Sequence, residues 1–132
     1  QTATGNYSTT LFASRAVELI SAHDSARNLF VYLAFQAVHA PDQVPPQYTA
    51  PYAATISNTK RRTFAGMLSA VDEGVSNTSA ALAARGWSNR TLTVLIADNG
   101  GPSDQGPGTQ CPPLSYCSGT GTSNYPLRGG KH

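Results

Sequence analysis

The sequence predicts an α/β fold organised around a parallel βαβ unit, and three observations predict it. Leu29-Phe-Val-Tyr-Leu-Ala-Phe35 and Thr91-Leu-Thr-Val-Leu-Ile-Ala97 are nearly unbroken apolar runs rich in β-branched and aromatic residues. Strands buried on both faces read this way. Between the runs, residues 60–85 place Phe64, Met67, Leu68, Val71, Val75 and Leu82 at helical spacing. A helix joining two buried strands is a crossover connection, which implies parallel strands and a right-handed path.

The elements follow in order. Over residues 8–23 the apolar side chains Leu11, Phe12, Ala16, Leu19 and Ile20 keep a helical period, with Ser8 or Thr9 placed to cap it. The strand 29–35 follows Asn28, and Gln36 to Pro41, including His39, lies just past its carboxyl end. Pro41, Pro45, Pro46 and Pro51 remove backbone donors and restrain their predecessors, so an irregular excursion is expected to about Ser57. The helix 60–85 ends at Gly86, a suitable C-terminal stop. The strand 91–97 then runs into Asp98-Asn99-Gly100-Gly101. Residues 102–125 form a Gly/Pro-rich loop without periodicity, too long for an idle connection. Two strands and two helices cannot cover both faces of a parallel sheet. The 132 residues are therefore expected to form a single segment of a larger α/β domain, or one chain of a processed protein.

Composition narrows the class. Charged residues make up 12% of the chain, against a usual value of about 25%, and twelve Gly and nine Pro point to abundant loop. The net charge is +2, and apart from Lys60-Arg61-Arg62 the basic residues are scattered. No nucleic-acid footprint results. The longest apolar stretch, Leu29 to Ala40, is interrupted by Gln36 and His39 and falls short of the roughly 18 residues that span a bilayer. Gln1 in place of Met, with no signal peptide, suggests that an N-terminal portion is absent. Three sequons, at Asn6, Asn77 and Asn89, favour a secretory route, with Asn6 and Asn89 expected at the surface. In an oxidising compartment Cys111 and Cys117 would close a small disulfide loop. No neighbouring His or further Cys completes a zinc shell.

Chemistry is expected where the strands end. In open α/β sheets, ligands bind beyond the carboxyl ends of the strands, and this position holds Asp98 and Asn99. Oxygen ligation by an Asp and an Asn suits calcium or magnesium better than zinc, while an ordinary Asn-Gly turn is the plainer reading. His39 follows the other strand; if the two strands are neighbours, only about 4.8 Å apart, both ends share one site, and the alternative is an ordinary loop histidine. A histidine there can hydrogen-bond an anion or protonate a leaving oxygen. Lys131 follows Gly129 and Gly130, as suits a cation brought close to an oxyanion, or it is a solvated tail lysine.

The stretches Leu29-Phe-Val-Tyr-Leu-Ala-Phe-Gln-Ala-Val-His39-Ala-Pro, Gln43-Val-Pro-Pro-Gln-Tyr48, Arg62-Thr-Phe-Ala-Gly-Met-Leu-Ser-Ala-Val-Asp72-Glu-Gly-Val, Ala97-Asp98-Asn99-Gly-Gly and Pro126-Leu-Arg-Gly-Gly-Lys131 resemble the central part of a sulfatase. The likeness runs from about Tyr7 to Lys131 and is greatest to the arylsulfatase B type, the N-acetylgalactosamine-4-sulfatases. It implies a partial sulfatase-type sheet of the alkaline phosphatase-like superfamily. By the same resemblance, Asp98 and Asn99 match late ligands of a calcium ion. His39 matches a histidine that contacts the sulfate ester and assists the leaving alcohol, and Lys131 a lysine that binds the sulfate oxygens.

The departures from the family pattern matter equally. The formylglycine motif, Cys-x-Pro-x-Arg, has no counterpart: Cys111-Pro-Pro113-Leu-Ser115 lacks the arginine and follows the second strand, where the nucleophile does not belong. The early Asp pair and the family's other lysine and histidine are also without counterparts, and the segment between Gly101 and Pro126 is longer than in close family members. The resemblance therefore implies part of a secreted, lysosomal or periplasmic-type sulfatase, acting on aryl or glycan sulfate esters. It would be inactive without the remainder of the sulfatase chain. A non-catalytic binding or structural module of a secreted glycoprotein is the alternative.

Overall fold

A computed structural model describes residues 5–101. Lys131, Cys111, Cys117 and the expected loop 102–125 lie outside the described residues. The chain divides into two compact units. The first combines the described residues up to His39 with Met67–Thr93, and the second combines Ala40–Gly66 with the described residues from Val94 on.

The first unit is built on helix α1, Ser8–Ala22. Its buried residues are Thr9, Ala13, Ala16 and Ile20, a stripe at spacings of three and four that defines one helix face. The expected side-chain cap at Ser8 or Thr9 does not form. Tyr7 is the N-cap residue and makes no side-chain cap bond. Instead its carbonyl accepts from Leu11 N at 3.0 Å and from Thr10 Oγ1 at 2.9 Å. Thr9 is drawn inward by its place on the buried stripe, and its hydroxyl finds no hydrogen-bond partner there.

A long helix spans Thr59–Ala84 and is named α3, following a short α2 described below. Within the first unit it contributes Met67, Ala70 and Gly74, all buried, again one face at three- and four-residue spacing. Small side chains on both helices allow close approach. A Cβ placed on Gly74 would lie 3.1 Å from Ala13 Cβ and 3.1 Å from Phe35 Cζ. Ile20 and Met67 are the largest apolar side chains sealed in this core, each contributing about 2–3 kcal/mol by removal from water.

Gly86 ends α3. With φ of 69° it occupies the left-handed region that only glycine adopts without penalty. Its N–H donates to Ala83 O at 2.9 Å and that of Trp87 to Leu82 O at 2.9 Å; this pair of bonds is a Schellman stop. Beyond it, a 3₁₀ turn covers Ser88–Arg90. Arg85 lies over the Trp87 ring, its Cζ 4.6 Å from the centroid, and donates from Nη2 to His23 O at 2.7 Å. The His23 ring meets Trp87 nearly perpendicularly at 6.0 Å.

Among the described residues the apolar runs 29–35 and 91–97 carry neither helix nor β-ladder. Exposure alternates along the first run. Leu29 and Val31 are 38% and 39% exposed, whereas Phe30 and Tyr32 are 89% and 84%, the two-residue period of extended chain. The second run is open throughout, from Leu92 at 90% to Ile96 at 79%.

In the second unit the expected irregular excursion contains a helical turn. Helix α2 covers Pro46–Thr49 and passes into a 3₁₀ turn, Ala50–Tyr52. Pro46 and Pro51 each stand at the start of a helical turn, where the missing N–H is not needed and the fixed φ helps. The same residues that break a helix elsewhere therefore open one here. Tyr48 O, Thr49 Cγ2 and Val44 Cγ1 all lie 3.1 Å from where a Cβ on Gly66 would sit. Asn58 caps α3 by accepting from Arg61 N at 3.0 Å.

Candidate metal and sulfate site

The described residues of the candidate site are His39 and the turn after residues 91–97. Asp98 and Asn99 are both exposed. Asp98 Oδ1 accepts from Asn99 N at 2.8 Å and Oδ2 from Asn99 Nδ2 at 3.2 Å. Gly100 then takes φ of 74°, a left-handed turn residue. The carboxylate thus orients the neighbouring amide. Both Asn99 donors turn toward Asp98, so the amide oxygen takes no part in these bonds.

This donor set fits a hard cation. It offers two carboxylate oxygens and one amide oxygen, with no sulfur or imidazole. Calcium takes roughly six to eight oxygens, so Asp98 and Asn99 would be a partial shell. Among the described residues no group of three or more His, Cys, Asp and Glu side chains is gathered as a metal site.

His39 is exposed and sits in a turn in which its N–H donates to Gln36 O at 3.1 Å. The peptide bonds Ala37–Val38 and Ala40–Pro41 beside it are cis. Asp98 and Asn99 are thus brought together in the second unit, His39 belongs to the first, and Lys131 is outside the described residues. The sequons are at the surface: Asn6, Asn77 and Asn89 are all exposed. Sequence reasoning overlooked the His23, Arg85 and Trp87 cluster. The available signal was the chain's single Trp, two residues before a sequon.

The profile of the sulfatase family matches residues 1–132. The chain belongs to the sulfatase family. Arylsulfatase J of Mus musculus is 37% identical over 127 residues, covering 96% of this sulfatase chain. The chain spans 19% of that relative's length. Among the described residues, no helix is long and apolar enough to cross a membrane.

Proposed function

We propose that this chain supplies late metal ligands and sulfate-recognising groups to an arylsulfatase-type hydrolase of sulfate esters. The observation that carries the reading is the Asp98–Asn99 clasp at the end of the apolar run 91–97, closed by the left-handed Gly100. Family membership and the similarity to an arylsulfatase support the reaction class. We propose further that 29–35 and 91–97 are strands of the α/β domain. Their exposed apolar side chains are what a sheet with neighbours on both faces would bury.

In this reading Asp98 and Asn99 hold a calcium ion together with ligands from the rest of the sulfatase chain. The ion's chemistry is charge neutralisation at the sulfuryl oxygens. His39 hydrogen-bonds the ester and delivers a proton to the departing alkoxide or phenoxide, so that the leaving group departs neutral. Lys131 offers a point charge to the remaining sulfate oxygens as negative charge redistributes. A secretory or lysosomal route and N-glycosylation at the sequons complete the reading, and a disulfide between Cys111 and Cys117 would accord with such a route.

A chromogenic aryl sulfate tests it. The 132-residue chain alone should give no turnover with calcium present, and turnover would overturn the partial-site reading. In the intact source protein, His39→Ala should lower kcat by about 10²–10⁴-fold. Asp98→Ala should weaken calcium binding in a direct titration. An intact protein that is inactive and contains no formylglycine by mass spectrometry would establish the non-catalytic module instead.

A further inference from the structure

We propose that Asn99 is a modification site: its side-chain amide is lost spontaneously by cyclisation onto Gly100, and a cation in the turn preserves it. The preservation rests on the metal-ligand reading above, whereas the modification does not. Asn6, Asn28, Asn58, Asn77, Asn89 and Asn124 are followed by Tyr, Leu, Thr, Thr, Arg and Tyr. Asn99 alone precedes a glycine. A side chain on the following residue crowds the approach of its nitrogen to the carboxamide carbon, and glycine has none.

The turn leaves the reacting atoms open. Asp98, Asn99 and Gly100 are all exposed, and among the described residues no group accepts a hydrogen bond from Gly100 N. The attacking nitrogen is therefore unengaged. The Asn99 carboxamide is held by a single exposed bond, from Nδ2 to Asp98 Oδ2 at 3.2 Å. Cyclisation requires the side chain to swing from Asp98 toward Gly100, and every atom of the resulting ring belongs to Asn99 or Gly100. Breaking one exposed hydrogen bond slows this by no more than about tenfold relative to the unfolded chain.

In the first step Gly100 N bonds to Asn99 Cγ and the Cγ–Nδ2 bond breaks. The Gly100 proton leaves with Nδ2 as ammonia, and a succinimide remains. Water then adds to either ring carbonyl, breaking its bond to Gly100 N and returning a proton to that nitrogen, so that aspartate or isoaspartate results. Neither product has the donor that now reaches Asp98 Oδ2. A second carboxylate faces the first, and in isoaspartate the main chain is also lengthened by a methylene. While Asn99 Oδ1 is held by a cation, the carboxamide cannot swing toward Gly100 N. Conversion therefore records the time the turn spends empty.

Cleavage after Arg90 and Arg128 frees residues 91–128, which hold Asn99 and Asn124 and no sequon. The test incubates the chain at neutral pH, native and in urea, and reads amide-to-acid conversion at both positions by fragmentation mass spectrometry. Asn99 should convert faster than Asn124, to both acids, and its native rate should lie within about tenfold of that in urea. Gly100→Ala should lose most of the conversion in urea, where the turn's conformation plays no part. In the intact source protein, calcium at ten times its measured Kd should slow Asn99 conversion about tenfold, in proportion to the empty fraction. A native Asn99 no faster than Asn124, or slowed more than tenfold by folding, overturns the modification and leaves the metal-ligand reading standing. Conversion that calcium does not slow overturns the preservation, and with it Asn99 as a ligand, while the modification stands.

Discussion

Replacing Gly74 by Ala pits two effects of known size against each other. In a helix interior, Ala is favoured over Gly by about 1 kcal/mol. Against this, the new Cβ would stand 3.1 Å from both Ala13 Cβ and Phe35 Cζ, and 3.4 Å from Phe35 Cε1. Comfortable carbon–carbon contact begins near 3.5 Å, so the neighbours must withdraw by roughly 0.5 Å. Ala13 is 3% exposed on a helix with its own sealed stripe and has little room to move. Overpacking of this kind costs about 1–3 kcal/mol, so Gly74→Ala should destabilise the first unit by about 1 kcal/mol net. Urea unfolding of the chain, followed by far-UV circular dichroism, measures this. A double-mutant cycle with Ala13→Gly isolates the contact and should show a favourable coupling of about 1 kcal/mol. If Gly74→Ala stabilises equally with Ala or Gly at position 13, the helices do not approach here and the packing argument fails.

Three other perturbations address separate features. Ile20→Ala, at a side chain 1% exposed, should lower stability by about 2–5 kcal/mol, read as a lower denaturant midpoint; a change under 1 kcal/mol contradicts its place in the core. Thr9→Val keeps the shape and removes a buried hydroxyl without a partner, so it should stabilise by about 1 kcal/mol. Destabilisation in that assay would reveal a bond to Thr9 Oγ1. Asn58→Ala removes the side-chain acceptor for Arg61 N and should cost about 1 kcal/mol. Faster amide exchange confined to the first turn of α3 would locate the effect, and unchanged exchange there would exclude the cap.

Features set by near neighbours were legible in the sequence. Spacing of apolar residues located the helices but marked their buried faces only in part: Ala16, Ile20 and Met67 are buried, whereas Leu11, Leu19 and Leu68 are exposed and the small residues Ala13 and Ala70 take their place in the core. Gly86 marked the end of α3 because left-handed backbone favours glycine. The Asp98–Asn99–Gly100 turn was legible for the same reason, since its bonds span single peptide units. Capping of α1 was misjudged: polar residues at Ser8 and Thr9 suggested a local cap, but the buried stripe claimed Thr9. The helical turn at Pro46 was also missed, because proline reads as a breaker until its position within the turn is known.

By itself the sequence determined the family, the helical periods and the oxygen-rich turn at residues 98–101, all of which depend on residues close along the chain or on ordered motifs. Tertiary structure alone decided which distant residues meet. Ala13 and Phe35 converge on Gly74, and Arg85 reaches back 62 residues to the carbonyl of His23. Contacts at such separation depend on the packing of whole elements, and no local propensity encodes them.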